Sequence, residues 1–194
     1  NIAVRAGSKN DPADSTGMAH YLEHMLFKGT RALGTLDDAK ETPHLTRILA
    51  LYEKHFVATD PAERARIYKE IDAENIAASQ YAVPNELSKV YSQLGVNGVN
   101  AYTSDEQTVY VGNFPSNRAE AWATVEVERF ARPVFRLFLG ELETVYEEKN
   151  RSLDNASRIL SEALNKRMYG DHPYGRTTLG SIEHLKNPSL KKMY

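Results

Sequence analysis

"GMAHYLEHMLFKGT", Gly17 to Thr30, sets two histidines and a glutamate among Tyr, Leu, Met and Phe. An ordinary core helix would fill those places with apolar side chains, because burying ionisable groups is costly unless each is paired. His20 and His24 are four apart, one helical turn on one face. Imidazoles at that spacing can close on a single divalent ion. Glu23, three after His20, borders the same face, beside the ion rather than necessarily on it. The pattern is H-x-x-E-H, the reverse of H-E-x-x-H. Two neutral imidazoles leave a zinc ion mostly uncompensated, and a carboxylate third ligand would complete a catalytic site with one position open to water. That water becomes acidic enough to act near neutral pH. Glu23 would then take its proton and hand one to a leaving amine. The bland alternative is a structural helix with hydrogen-bonded histidines and an accidental motif.

A third ligand should come from another helix, and "GELETVYEEKNRSLDN" is the best source. Glu141 and Glu148 are seven apart, so they share a face two turns along. Glu147 sits about 100° round from Glu148, and Glu143 faces elsewhere. Glu147 is therefore a rival ligand. The competing reading is a solvated acidic face answered by Lys149 and Arg151.

The composition narrows the chemistry. The chain has no cysteine, so disulfides, thiolate chemistry and Cys-ligated zinc are excluded. A metal must be held by His, Asp or Glu. A formal net charge of -2 gives no nucleic-acid footprint. No apolar run reaches the ~18 residues that a membrane span needs. With 194 residues and 41% hydrophobic content, one domain, or one large domain and a fragment, with a sizeable core is expected. The chain opens on "NIAVRAG" and closes on "LKKMY", and both ends read as cut, so a fragment of a larger chain is expected.

Around the motif the periodicities change. Ile2 to Ala6 reads as a strand, followed by the loop "GSKNDPADSTG" and a helix from about Ser15 or Thr16 through Phe27. From about Asp37 to Leu94 three helices are expected. The first carries Leu45, Ile48, Leu49 and Tyr52 at helical spacing. The second starts on Asp60-Pro61 and holds Ile67, Ile71 and Ile76 roughly on one face. The third is capped by Asn85 and closed by Gly95. "GVNAYTSDEQTVYVGNF" predicts a hairpin, with Val99, Ala101 and Thr103 alternating with Asn100 and Tyr102 and a return over Thr108–Val111. Later helices are expected from Ser116 to about Ala131, from Leu139 to about Asn150, and over "ASRILSEALNKRMYG", where Ile159, Leu160, Leu164 and Met168 lie on one side. Strands and helices without a regular alternation argue an α+β fold: a mixed or antiparallel sheet flanked by helices, with a helical insertion at about 37–94. His44, His55 and His184 have no partners at useful spacing and read as surface or helix-end residues. His172, in a Gly-rich loop, reads as loop packing.

Four segments resemble one known family in the right order. "GMAHYLEHMLFKGT", "NAYTSDEQTVY", "FRLFLGELETVYEEKNRSLDN" and "HPYGRTTLG" are similar to the M16 metallopeptidases, the group of pitrilysin, insulin-degrading enzyme and mitochondrial processing peptidase. The resemblance covers nearly the whole chain and implies an incomplete N-terminal catalytic domain over 1–194. It implies a Zn2+ cofactor held by His20, His24 and Glu148, with Glu23 as general base and Glu141 as a supporting acid. The separation of His20 from Glu148 is longer than in many members. The segment at about 37–94 accounts for the excess, and a subset of bacterial members is similar there.

By the same resemblance, the strand holding Asn100, Ala101 and Tyr102 would take a peptide or unfolded-protein substrate by backbone pairing. The remaining M16 domains, in the same chain or a partner subunit, would complete the chamber. The isolated piece is then expected to bind zinc weakly and to digest peptides poorly or not at all. A periplasmic or exported bacterial setting is common among similar proteins, and the cytoplasm stays open. The alternative function is a non-catalytic M16-like partner or peptide-binding subunit, which usually lacks the histidine motif.

Overall fold

The computed structural model describes residues 1–193. They fall into two compact units, one formed by residue 1 with 24–100 and 111–139, the other by 2–23, 101–110 and 140 onward. The boundaries fall inside continuous elements. The secondary structure is the expected α+β mixture: a three-stranded sheet in the order β1-β3-β2, and helices. Among the described residues, no helix is long and apolar enough to cross a membrane.

The first unit is mostly helical. Helix α2 spans Asp38–Val57 and α3 spans Pro61–Ser79; they pack against each other. Asp37 caps α2 by accepting from the Lys40 amide, and Asp60 caps α3 by accepting from the amides of Ala62 and Glu63, with Pro61 at the first helical position. Ile48, Leu51 and Tyr52 of α2 and Ile67, Ile71 and Ala78 of α3 are buried. Ile76 is not on that face: it is 60% exposed. Five residues beyond Ile71 is about 140° round the helix, whereas Ala78, seven beyond, comes back within about 20°.

The histidines of the helical segment also depart from expectation. His55 is buried in α2, and His44 pairs with Glu74 at 2.8 Å. Helix α4 (Glu86–Leu94) ends at Gly95 as expected. Asn85, however, stands before it in a left-handed conformation (φ 60) and makes no side-chain cap. Leu87 and Tyr91 of α4 join Val96, Phe114, Trp122 and Val125 in a core against α5 (Ala119–Ala131). Ser116 begins a 3-10 turn ahead of α5 rather than capping it.

The second unit holds β1, parts of the other two strands and most of the later helices. Strand β1 (Ile2–Val4) pairs antiparallel with β3 (Thr108–Asn113), Ile2 opposite Tyr110 and Val4 opposite Thr108. Strand β2 (Asn97–Thr103) lies at the edge, and the Ser104 amide closes the hairpin on the Gln107 carbonyl at 2.8 Å. Helix α1 spans Met18–Met25 and α6 spans Phe138–Ser152. Helix α7 covers Ala156–Tyr169 and α8 covers Ile182–Leu185.

The apolar stripe expected on α7 stays at the surface: no residue of the helix is buried, and Leu160 is 70% exposed. The "HPYGRTTLG" segment instead packs on the start of α1. A side chain at Gly180 would collide with the Thr16 carbonyl, and Gly17 takes a φ of +88 that L side chains rarely adopt. His184 has a defined task here, since its Nδ1 accepts from the Thr16 amide at 3.1 Å. His172 serves loop packing, accepting from the Tyr174 amide and stacking edge-on against the Tyr174 ring.

Candidate metal centre

The local pattern of α1 is simple. Met18, Tyr21 and Met25 are buried and hold the helix down, which leaves His20 and His24 on a flank one turn apart. The helix start is fixed by a residue outside any local capping pattern. Asp11 sits in the preceding loop, and its carboxylate accepts from the amides of Gly17 (2.7 Å) and Ala19 (2.8 Å). Those amides are unsatisfied within the helix, so a carboxylate there satisfies them and complements the helix dipole. Burial outweighs these bonds and pushes the Asp11 carboxyl up to about 6. The Arg176 guanidinium holds the same loop through the Asp11 carbonyl at 3.1 Å.

Helix α6 brings the acids. Val145, Lys149 and Ser152 are buried and define its inward face. At about 100° per residue, Glu141 and Glu148 fall within about 60° of Val145, and Glu147 falls on the far side. Glu147 is accordingly exposed. Buried Lys149 reaches Glu162 of α7 at 3.2 Å, and the Thr177 hydroxyl donates to the same carboxylate at 2.9 Å. This pins the rotation of α6.

The consequence is a cluster: His20, His24 and Glu148 each offer a ligand atom, and these atoms lie within 4.8 Å of one another. Nε2 of His20 is 3.4 Å from Oε2 of Glu148, with side-chain exposures of 12% and 40%. That is long for a charge-assisted hydrogen bond, which closes to about 2.7–2.9 Å. It matches the edge of a tetrahedron: arms of about 2.0–2.2 Å from an ion to nitrogen and oxygen set the ligand atoms about 3.3–3.5 Å apart. Two imidazoles and one carboxylate also form a donor set suited to zinc. The residues present therefore fit such an ion. Glu141 stands two turns away on the same face of α6 and is not one of the three.

Glu23 is 7% exposed. Its Oε2 accepts from the hydroxyl of Thr103, at the end of β2, at 2.5 Å. Asn100 and Tyr102 on that edge strand are exposed, and Ala101 is partly covered. Sequence reasoning passed over Asp11, Thr103 and the Lys149–Glu162 pair. The first and last act through contacts across loops or between helices, which no spacing rule encodes, and Thr103 was visible only as one member of an alternating strand.

Residues 1–42 match the family described as Insulinase (Peptidase family M16). The human mitochondrial-processing peptidase subunit beta is 26% identical over 197 residues, covering 98% of this chain and 29% of that protein. YmxG of Bacillus subtilis, described as an uncharacterized zinc protease, is 24% identical over 186 residues, covering 95% of this chain and 33% of that protein. A protease from Helicobacter pylori shares the fold, with a TM-score of 0.69 at 21% identity, over 98% of this chain and 35% of that one. The chain thus spans about a third of the length of the proteins it matches. The matched N-terminal stretch contains the whole histidine motif, the relatives align along nearly the entire chain, and the fold is shared. Over residues 1–42 the chain matches the M16 peptidase family, and along nearly its whole length it is similar to these relatives and shares their fold.

Proposed function

We propose that this chain carries the reactive centre of a zinc-dependent endopeptidase acting on peptides or unfolded proteins. The observation that carries this reading is the convergence of His20, His24 and Glu148, with one pair of donor atoms already at a tetrahedral edge length. The relative described as a zinc protease supports the choice of ion. Zinc bound there supplies a Lewis acid that polarises water and brings its pKa near neutrality.

The chain's own residues do the rest. His20 and His24 would hold the ion through neutral nitrogens, and Glu148 would offset its charge. Glu23, next to His24 but outside the three ligands, takes the proton of the attacking water and returns one to the leaving amine. Glu141, on the Glu148 face of α6, supports that acid from two turns away. The exposed edge of β2 gives a substrate backbone somewhere to pair, so that Asn100, Ala101 and Tyr102 hold an extended chain without demanding particular side chains. Residues 37–94 form a helical insertion in this scheme, and further M16 domains, in the same chain or in a partner subunit, complete the working enzyme.

The decisive experiment pairs zinc titration with peptide hydrolysis, for the chain alone and together with such domains. Glu23→Gln should keep zinc affinity within about twofold and lower turnover at least 100-fold, the lower end of a general base's contribution. Undiminished hydrolysis by that variant would remove Glu23 from the mechanism. Failure of the unmodified chain to bind zinc would remove the reading as a whole.

A further inference from the structure

We propose that Thr103 is a positioning residue: its hydroxyl ties the Glu23 carboxylate to the strand edge offered to substrate, so that docking on β2 is transmitted to the base. This rests on the function proposed above. Thr103 is the last residue of β2 and directly follows Tyr102. Successive residues of a strand point to opposite sides, so Thr103 shares a side with Ala101, and both are partly covered, whereas Asn100 and Tyr102 are exposed.

The Thr103 hydroxyl has two neighbours. It donates to Oε2 of Glu23 at 2.5 Å, and it lies 3.3 Å from the hydroxyl of Thr108. Thr108 in turn donates to the Ala6 carbonyl at 3.0 Å. Both hydroxyl hydrogens are thus committed, so the 3.3 Å approach of Thr103 to Thr108 is a packing contact and the tether starts from β2 itself. Threonine is β-branched and stiff about its first side-chain torsion, so little slack remains between the backbone of β2 and the carboxylate.

Glu23 reaches its place through a flexible side chain, and a general base must hold its proton-accepting geometry closely. A hydrogen bond to a buried carboxylate is among the strong ones. One bond thus does two things: it fixes the plane of the carboxylate, and it couples that plane to the peptide unit between Tyr102 and Thr103. A substrate strand pairing along Asn100–Tyr102 immobilises that unit and, through Thr103, the base.

The test uses the 194-residue chain carrying 13C-labelled glutamate, with the Glu23 carboxyl signal assigned by its loss in Glu23→Gln. The probe is a capped octapeptide of alternating Thr and Val, able to pair as a strand. The probe should shift the Glu23 signal in the unmodified chain and in Thr103→Ser, which keeps the hydroxyl. In Thr103→Val, which keeps the shape, the shift should fall at least fivefold while peptide affinity stays within about twofold. Amide spectra establish that each variant is folded.

An unchanged response in Thr103→Val overturns the proposal, as does a lost response in Thr103→Ser or no response in the unmodified chain. In the complete enzyme, Thr103→Val should lower kcat about tenfold with KM unchanged, and Thr103→Ser should restore it. Should Glu23→Gln hydrolyse peptides normally, the assignment of the base fails, and the carboxyl signal still decides whether Thr103 couples it to the strand.

Discussion

Two groups of ionisable side chains in this molecule are built on opposite principles. In the first unit, Arg136 is 1% exposed and Glu41 is fully buried, and they pair through two bonds of 3.0 and 3.1 Å. The guanidinium also donates to the carbonyls of Lys28, Thr30 and Leu33 at 2.8–3.0 Å. Arg136 thereby sews the loop after α1 to the first turn of α2. His20, His24 and Glu148 are gathered less tightly: they are partly exposed, and the His20–Glu148 contact is 3.4 Å. A charge pair closed by short bonds on every side holds a shape and leaves no room for an ion. A set of donors spaced at a coordination edge can be drawn onto one. Burial alone therefore does not mark a reactive cluster; the spacing and the nature of the donors do.

The largest expected effect breaks the closed group. Arg136→Met should cost about 3–5 kcal/mol of folding free energy, because it leaves the Glu41 carboxylate buried without its partner. The double variant with Glu41→Gln should recover a good part of that loss. Urea unfolding of the zinc-free proteins measures both, and a loss under about 1 kcal/mol would mean that the pair is not the clamp described.

The open group should behave in the reverse way. Glu148→Gln should leave zinc-free stability within about 1 kcal/mol, the scale of a partly exposed pair. It should also abolish most of the stabilisation given by zinc, which reaches about 2.7 kcal/mol at a hundredfold excess over the dissociation constant. Glu147→Gln, on the exposed side of α6, is the control and should alter neither quantity by more than about 0.5 kcal/mol. Thermal melts with and without zinc distinguish the two acids.

The smallest effect concerns the frame beneath the histidines. The Asp11 carboxyl is raised from 3.8 to about 6 in the folded state. Between those values the folded chain binds more protons than the unfolded one, so this group's contribution is fully present below about 3.8 and is lost as pH rises through about 6. Asp11→Asn should flatten that decline in a stability–pH profile. Near neutral pH the acceptor lost to one amide, worth about 1 kcal/mol, is offset by removal of the buried charge, so the variant should be no less stable than the wild type there. A wild-type profile without the decline would contradict the assigned shift.

Much of the fold could be read from periodicity. The three helices of 38–94, the 97–113 hairpin and the helix carrying the histidines follow from local spacing and caps. An apolar helix face does not by itself guarantee burial. The Leu160–Leu164–Met168 stripe of α7 is amphipathic yet exposed, and Ile76 was assigned to a face it misses by more than a third of a turn. Histidines were misjudged for a related reason: His44 and His184 find partners from distant positions, which sequence spacing does not display.

The sequence by itself determined that His20 and His24 share one turn of a helix and that Glu141 and Glu148 share a face of another, because helical hydrogen bonding sets those intervals wherever the helix lies. Only the tertiary structure decided that Glu148 rather than Glu147 meets the histidines, that Asp11 caps α1, and that Thr103 reaches Glu23. A helix can turn about its own axis without changing its sequence pattern. Its rotation is set by what it buries, here Val145, Lys149 and Ser152, and by the salt bridge from Lys149 to Glu162.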